Sequence, residues 1–392
     1  MKVPPTVLSH VLFFEYEKYV LIGFISSSVI FLKLSIPILV HLCYSELAHT
    51  YPHDIVQHKT PQVKVGEAWF LKEFTIGQND AGQRLDRFVA KAVPLLPASL
   101  AQKYIRIKRI KVGGAGSKRD YKLSAGDVVR MYINDEFFEP QSAGNAYLKI
   151  TDPGLDIIYE DENIILICKQ AGVLCHSDNG YDFGSVISRV QAYLQQKGEW
   201  RPREENTFVP ALCNRIDRNT SGIVIAAKNA QALRIVNEKI QLHEIDKYYL
   251  AAVHGAPDPP VGRLEGYIFK DAVKNQVYVS KNSSPGSKHA AMEYKTIASS
   301  GQLSLIECKL ITGRTHQIRA QLAEIGHPLL GDGKYGSERL NKPYGENRQA
   351  LCSYKLVFAF KTDAGELSYL NRKTFRLYSV PFAEKYFPAI DF

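Results

Sequence analysis

A loop of nine residues places a carboxylate between two arginines. Its sequence, at 214–222, is NRIDRNTSG, and an apolar stretch follows it. Side chains two residues apart in an extended chain point to the same side, so Arg215 and Asp217 should share one face. The Thr-Ser-Gly run at its end is suited to turning the chain. A lone arginine–aspartate pair is usually a salt-bridged surface turn, so the loop by itself offers a candidate carboxylate and no activity.

A second polar cluster surrounds the predicted start of a helix. The segment at 311–336 reads ITGRTHQIRAQLAEIGHPLLGDGKYG. It brings Arg314, His316, Gln317 and Arg319 close together in the chain. A helix N-terminus favours anions, and arginine binds carboxylate or phosphate through paired donors. The segment therefore predicts an anion-binding turn; the alternative is an exposed polar turn with a structural histidine.

Two neighbouring tyrosines form the third candidate. They lie in the predicted strand KYYLAAV, at 247–253. Tyr248 and Tyr249 should face opposite sides of that strand. One should pack in the core, and the other can face a site, where its ring can stack on a base. Core packing is the ordinary role of either residue.

The elements that must position these residues fall within 155–392. Apolar alternation predicts strands, and a spacing of three and four residues predicts helices. The predicted strands flank the acidic turn at 160–162 and cover 221–229, 247–255 and 303–313. The predicted helices cover 185–196, 229–241 and 315–326. Strands outnumber helices and many connections resemble hairpins, so we predict an α+β fold with a mixed, largely antiparallel sheet.

A smaller basic unit is predicted at 74–133. Helical spacing at 84–93 and 99–108 is followed by short alternating strands with glycine turns. Eight basic residues and one acidic residue lie within 103–122. Such a concentration of charge on one small module favours RNA contact over a merely solvated face. The predicted phosphate-binding residues are Lys103, Arg106, Lys108 and Arg109.

Residues 1–70 differ from the rest of the chain. The stretch 20–44 is apolar and long enough to cross a bilayer, although Lys33 lies near its middle. Three interpretations stand: a membrane anchor, an extension that is not part of the folded protein, and a start codon assigned too far upstream. A second composition change, rich in Pro, Gly and Ser, predicts a linker at 134–154.

Composition narrows the classes of function. The 392 residues carry a net charge of +9, which favours an anionic partner. The six cysteines contain no CxxC pair, so neither a zinc cluster nor a disulfide framework is predicted. The GGAG at 113–116 lacks the Lys-Ser/Thr of a phosphate-binding loop. We expect reduced thiols in a cytoplasmic protein, with no metal and no cofactor.

Together the three polar segments resemble the motifs of the RluA-type family of pseudouridine synthases, which act on large-subunit ribosomal RNA. The family's HRLDxxTSG loop reads NRIDRNTSG here, and its K-x-Y strand reads Lys247-Tyr248-Tyr249. The TGRTHQIR and GHPLLGDxxYG segments are intact, and the family's EDE…KPAG motif reads EDENIILICKQAG. The resemblance covers 74–392. Residues 74–133 resemble the S-four-type RNA-binding domain of many members, and 155–392 their catalytic domain.

The resemblance implies a role for each matching position. Asp217 takes the place of the catalytic aspartate, and Arg319 that of its basic partner. Tyr249 takes the place of the aromatic residue that stacks on the target base and can take part in proton removal. Arg215 matches the arginine that helps to displace the target nucleotide. Arg314 and His316 are expected to contact RNA.

Four positions depart from the family motifs. Asn214 and Cys352 stand where histidine is usual, Ile216 replaces leucine, and Gln170 replaces proline. None of these changes removes a catalytic group. We expect Asn214 and Cys352 to affect how the site is braced or which RNA fits.

The implied reaction isomerises uridine to pseudouridine in structured RNA. The bond between ribose and uracil nitrogen breaks, the base turns, and it is rejoined through carbon. Asp217 could attack the sugar as a nucleophile or remove a ribose proton, and the sequence leaves both routes open. The target must be flipped out of its stack.

Two other classes of function compete with the enzyme. One is an RNA-binding or ribosome-assembly protein without catalysis, and the other is a membrane protein, based on 20–44 alone. The intact set of Asp217, Tyr249 and Arg319 favours the enzyme. We expect a monomer that acts on 23S ribosomal RNA, with transfer RNA as an open alternative.

Overall fold

The computed structural model describes residues 13–16, 19–22, 70–138, 146–177, 184–271, 273–274 and 276–390. The chain forms two compact units, Met1–Gly66 and Glu67–Phe392. In the first unit, β1 (Phe13–Tyr16) and β2 (Tyr19–Ile22) pair as an antiparallel hairpin. The other predictions for residues 1–70 lie outside the described residues. None of the helices in the described ranges combines the length and apolar composition of a membrane span.

Two helices and a four-stranded sheet begin the second unit. Its elements are β3 (Phe70–Thr75), α1 (Leu85–Ala92), α2 (Ala98–Arg106), β4 (Ile110–Val112), β5 (Ala115–Gly116) and β6 (Val128–Ile133). The strand order is β3-β6-β4-β5, with antiparallel neighbours. Leu85, Phe88 and Val89 of α1 are buried in one cluster with Val129 and Met131 of the sheet. This part of the chain therefore has a hydrophobic core of its own.

The rest of the chain builds one eleven-stranded sheet with helices packed against it. Its strands are β7 (Ile157–Glu160), β8 (Ile164–Lys169), β9 (Ala211–Leu212), β10 (Ser221–Ala227), β11 (Ile245–His254), β12 (Val261–Asp271), β13 (Gln276–Ser280), β14 (Lys288–Ser300), β15 (Leu303–Leu310), β16 (Leu351–Phe358) and β17 (Thr374–Arg376). Its helices are α3 (Val186–Gln196), α4 (Ala230–Gln241), α5 (Gln317–Glu324), α6 (Glu338–Asn341) and α7 (Pro381–Tyr386).

The long path of this sheet runs β13-β12-β14-β15-β11-β16-β10-β8-β7, with β9 beside β10 and β17 beside β16. Strands β10 and β16 are parallel, whereas the other ladders between the described strands are antiparallel. This pattern confirms the predicted α+β class with a mixed, largely antiparallel sheet.

Local sequence explains where the central helices begin and what they cover. The side chain of Asn229 accepts a hydrogen bond from the Ala232 N–H at 2.8 Å, which caps α4. Helix α4 then packs with Ile223 and Ile225 of β10. Helix α5 instead shares a cluster with Tyr249 of β11. The two helices therefore contribute to two different clusters of the core.

Candidate active site

The three polar segments singled out in the sequence meet in one pocket of about 550 Å³. The pocket lies between the end of α4 and the start of α5, over β11 and β15. The predicted site residues that line it are Arg215, Asp217, Tyr249, Arg314, His316 and Arg319. Its apolar lining comes from Ile216, Ile240, Leu310, Ile318 and Leu351. A planar, uncharged ring could be retained in such a pocket by both polar and apolar contacts.

The loop before β10 presents Arg215 and Asp217 to the same pocket, as their spacing predicts. The loop turns at Thr220, whose N–H donates to the Asp217 carbonyl at 3.1 Å. It ends at Gly222, which has a φ of 112° and pairs with Ser353 of β16. A Cβ at Gly222 would lie 2.2 Å from the Ser353 carbonyl oxygen. Glycine therefore permits the close strand approach that fixes the end of the loop.

Arg319 connects Asp217 to a second carboxylate. Its Nε and Nη2 donate to the two oxygens of Asp332 at 2.7 and 3.0 Å, and its Nη1 donates to Asp217 Oδ2 at 3.1 Å. Burial alone would raise the pKa of the Asp332 carboxyl, but Arg319 and two backbone N–H groups hold it below its usual value. The paired bonds to Asp332 fix the plane of the guanidinium. They thereby aim its third donor at Asp217.

Accessibility separates the two carboxylates. The side chain of Asp332 is fully buried, whereas that of Asp217 keeps 24% of its surface exposed. Asp332 also accepts from the N–H groups of Lys334 and Tyr335, so its oxygens are satisfied within the protein. Asp217 is therefore the carboxylate of this pair that a bound molecule can reach.

His316 also lies close to Asp217, with Nε2 3.8 Å from Oδ2, the oxygen that Arg319 binds. Its Nδ1 is 2.9 Å from the Tyr335 hydroxyl, which already accepts the Val277 N–H at 2.8 Å. The hydroxyl proton of Tyr335 is therefore free to be donated to Nδ1. Burial lowers the pKa of His316, so the neutral ring is favoured. The tautomer in which Nδ1 accepts from Tyr335 carries its proton on Nε2, the ring nitrogen nearer to Asp217.

The neighbouring tyrosines of β11 face opposite sides, as predicted. A register shift between Tyr248 and Tyr249 interrupts the pairing with β16, so Tyr248 is opposite Lys355 and Tyr249 opposite Ser353. Tyr249 is 6% exposed and lines the pocket. The Lys355 ammonium lies 4.1 Å from the ring centre of Tyr248. A bulge of this kind re-aims side chains, and here it accompanies the entry of Tyr249 into the pocket.

Lys169 is buried next to the Asp217 loop and holds it through its ammonium. This role was not predicted from the sequence. It is 2% exposed, and its ammonium donates to the carbonyls of Gln170, Val173 and Arg218 at 2.9, 2.8 and 2.9 Å. Burial lowers the pKa of Lys169 to about 8. Since Arg218 directly follows Asp217, the ammonium ties the loop that carries Asp217 to the turn after β8. The sequence feature that could have indicated this role is the KQAG segment, which begins with Lys169 and corresponds to the family's KPAG motif.

The predicted phosphate-binding residues lie on a different surface of the second unit. Lys103, Arg106 and Lys108 line a concave surface at the end of α2, together with Lys118 and Arg119. Arg109 lies outside that lining, and its guanidinium carbon is 5.1 Å from the ring centre of Tyr104. The cluster is thus wider than predicted, because the turn after β5 adds two cations. Its S-four assignment and its RNA contacts stay predictions.

The described residues contain no group of three or more histidine, cysteine or acidic side chains placed to hold a metal ion. The cysteines within those ranges are free thiols: Cys168, Cys175, Cys213, Cys308 and Cys352. The groups that the pocket brings together around Asp217 include the Arg319 guanidinium, the His316 imidazole and the Tyr249 phenol.

The chain is similar to several known proteins. Residues 163–324 match the family model described as RNA pseudouridylate synthase. The ribosomal large subunit pseudouridine synthase C of Vibrio vulnificus is 32% identical over 288 residues, covering 72% of this chain and 87% of that protein. The protein of the same name from Escherichia coli is 30% identical over 306 residues, covering 76% and 90%. The solved human RNA pseudouridylate synthase domain containing 4 aligns over 57% of this chain and 88% of its own, with a TM-score of 0.44 and 19% identity.

Proposed function

This chain belongs to the RNA pseudouridylate synthase family, and from that premise we propose that it converts selected uridines of large-subunit ribosomal RNA to pseudouridine with Asp217 as the catalytic carboxylate. The family resemblance drawn from the motifs is confirmed, and the chain is an RNA pseudouridine synthase, an isomerase. The choice of ribosomal RNA is supported by the names of its relatives and by the basic concave surface at the end of α2.

The observation that carries the role of Asp217 is its contrast with Asp332. Both carboxylates bind Arg319, but Asp217 alone of this pair is open to the pocket. Arg319 orients Asp217 by donating to Oδ2, and Nε2 of His316 lies 3.8 Å from the same oxygen. In our proposal the oriented carboxylate acts on the ribose of the bound uridine. It either attacks the sugar carbon that bears the base or removes a neighbouring ribose proton.

Tyr249 is proposed to hold the uracil after the glycosidic bond breaks. The freed base must turn without leaving, and a buried aromatic ring beside apolar side chains can stack on it throughout. Burial raises the pKa of Tyr249 above its ordinary value, so the phenol keeps its proton at neutral pH. This favours stacking over proton removal by an ionised Tyr249. An ordered water is the alternative acceptor for the proton that leaves the uracil carbon.

The route of the target into the pocket requires base flipping, which costs a few kcal/mol. Arg215 is exposed at the pocket. We propose that its guanidinium occupies the space that the flipped nucleotide leaves in the RNA. Contacts between phosphates and the concave basic surface would supply affinity without reading sequence.

The test is pseudouridine mapping of total RNA in cells that lack the gene and in cells complemented with variants. The wild-type gene should restore specific pseudouridines in large-subunit ribosomal RNA. Asp217→Asn should restore none while binding the same RNA, because the amide keeps the shape but cannot act as nucleophile or base. The exposed Asp363 offers a matched control, Asp363→Asn, which should restore them fully.

Three outcomes would contradict the proposal. A fully active Asp217→Asn variant would remove Asp217 from the chemistry. Unchanged maps in cells lacking the gene would favour an RNA-binding role without modification, and restored sites in transfer RNA alone would replace the substrate.

A further inference from the structure

Lys247 lines the same pocket but has played no part in the chemistry so far. It lies on β11 two residues before Tyr249, between Leu310 of β15 and Leu356 of β16. Both cross-strand neighbours are apolar, so neither can neutralise the ammonium. Within the described ranges, the Lys247 side chain has no hydrogen-bond or ion-pair partner.

Other lysines around this sheet are neutralised. Lys309 lies 2.9 Å from Asp246, Lys355 lies 2.8 Å from Glu307, and the buried Lys239 lies 3.1 Å from Glu244. Lys247 is also partly buried, and burial lowers its pKa. A partly desolvated cation without a partner is unfavourable, and an anion that enters the pocket would relieve that cost.

The substrate supplies one kind of anion. Uracil and ribose are uncharged, whereas each nucleotide of RNA is flanked by two phosphates. The carboxylate of Asp217 is already engaged by Arg319. Gln241 and His243 also line the pocket and give it polar groups that can accommodate the RNA backbone.

On the basis of the proposed function, we propose that Lys247 binds a backbone phosphate next to the flipped uridine. The ammonium donates to a non-bridging phosphate oxygen and holds the nucleotide so that its ribose faces Asp217. Lys247 is then a substrate-binding residue inside the catalytic pocket, separate from the concave basic surface at the end of α2. Its contact is made only once the target has left its stack.

The experiment uses the full-length protein and a short RNA that contains the mapped target uridine. The phosphates on either side of that uridine are replaced, one at a time, by uncharged methylphosphonate linkages. Wild type should show a KM about ten- to a hundredfold higher for one of the two substituted RNAs, as expected for a lost charge-assisted hydrogen bond. Its activity on the unsubstituted RNA verifies the proposed function independently.

Lys247→Met should raise KM for unsubstituted RNA by a similar factor with kcat nearly unchanged, and should be insensitive to both substitutions. The slope of log affinity against log salt, measured in the Asp217→Asn background, should fall by about one. Lys247→Arg should recover most of the affinity. The matched control is Lys355→Met, whose charge is already paired with Glu307, and its KM should match wild type.

Three results would overturn the proposal. They are an unchanged KM and salt slope for Lys247→Met, a lower kcat at unchanged KM, and equal methylphosphonate penalties in the variant and wild type. Lys247→Gln provides the same comparison if the methionine variant does not fold. Inactivity of wild type on a verified target would instead refute the proposed function.

Discussion

Replacing Lys169 by methionine should separate loop positioning from stability. Methionine has a similar length but no donor, so three backbone carbonyls lose the ammonium. The Arg218 carbonyl keeps the Gly172 N–H at 2.8 Å, and the Gln170 carbonyl keeps the Val173 N–H at 3.4 Å. The lost bonds to these two carbonyls cost about 1 kcal/mol each. The third carbonyl, which loses the ammonium without such a replacement, costs about 1–3 kcal/mol, so the total is about 3–5 kcal/mol.

An opposing contribution comes from the ammonium itself. Burial lowers the pKa of Lys169 to about 8, which corresponds to about 3 kcal/mol of unfavourable free energy for the charged form in the folded protein. Methionine removes that cost. The net loss at pH 7 is therefore about 0–2 kcal/mol, or a Tm lower by at most about 8 °C for a domain of this size.

The effect on catalysis should be much larger. Without Lys169 the Arg218 carbonyl is held by one bond instead of two, and Asp217 precedes it directly. A shift of about 1 Å in a reacting group can cost about a hundredfold in rate. Single-turnover kinetics on the mapped RNA should therefore show kcat reduced about a hundredfold, with RNA affinity within about threefold of wild type.

Lys239 supplies the control, because it is also fully buried but binds Glu244 and Thr362 instead of the catalytic loop. Lys239→Met should lower the Tm and leave kcat intact. Wild-type kcat in Lys169→Met, combined with a loss of stability, would refute the positioning role.

The same substitution has a pH signature. The folded-state pKa of Lys169, about 8, lies below the unfolded value, so the unfolded chain binds more protons between about pH 8 and 10.5. The unfolding free energy of wild type gains from this residue as pH rises through that window, and Lys169→Met lacks the gain. Denaturant unfolding should show the difference between the two proteins widening by about 3 kcal/mol from pH 7 to pH 10.5. A constant difference would mean that the pKa of Lys169 is not lowered.

Two further substitutions test residues that position the pocket's lining. Tyr335→Phe removes the hydroxyl that orients His316 but keeps the ring, so kcat should fall about tenfold at unchanged RNA affinity. The Tm should also fall, because the Val277 N–H loses its acceptor at a cost of about 1–3 kcal/mol. Unchanged single-turnover kinetics would contradict the role of the hydroxyl in orienting His316. Gly222→Ala places a Cβ against the Ser353 carbonyl and should cost more than about 3 kcal/mol, whereas Gly77→Ala, which meets nothing within 4 Å, should melt close to wild type. Equal Tm values for these two alanine variants would show that β10 can move away from β16 at little cost.

Several parts of the site follow from local sequence. The spacing of Arg215 and Asp217 places both in the pocket, and the adjacency of Tyr248 and Tyr249 places them on opposite faces. The α+β class follows from the alternation and turn pattern of the chain. These inferences succeed because each depends on the backbone geometry of a few consecutive residues.

Other parts depend on contacts that local sequence does not encode. Lys169 binds backbone carbonyls, which every residue possesses, so nothing in the sequence indicates its acceptors. Among the residues that the structure describes, Lys247 has no hydrogen-bond or ion-pair partner, because the register of β11 places it between two leucines. That register includes a bulge, and a one-residue change in pairing would give different neighbours. The pairing of Arg319 with both Asp332 and Asp217 likewise joins segments whose approach is set by the whole sheet.

The departures from the family motifs leave Asp217, Arg319 and Tyr249 unchanged, and two of them lie where β10 is held in the sheet. Asn214, at a position where histidine is usual, accepts the Ile225 N–H through its side-chain oxygen at 2.8 Å, which fastens the start of the Asp217 loop to β10. Cys352, also at a histidine position, is buried on β16 and pairs across the parallel ladder with Ser221. Both residues therefore act where β10 is anchored, on either side of Asp217. A change at such an anchor alters where the carboxylate lies relative to Arg319 and Tyr249. Replacing Asn214 or Cys352 should therefore affect kcat more than it affects RNA affinity.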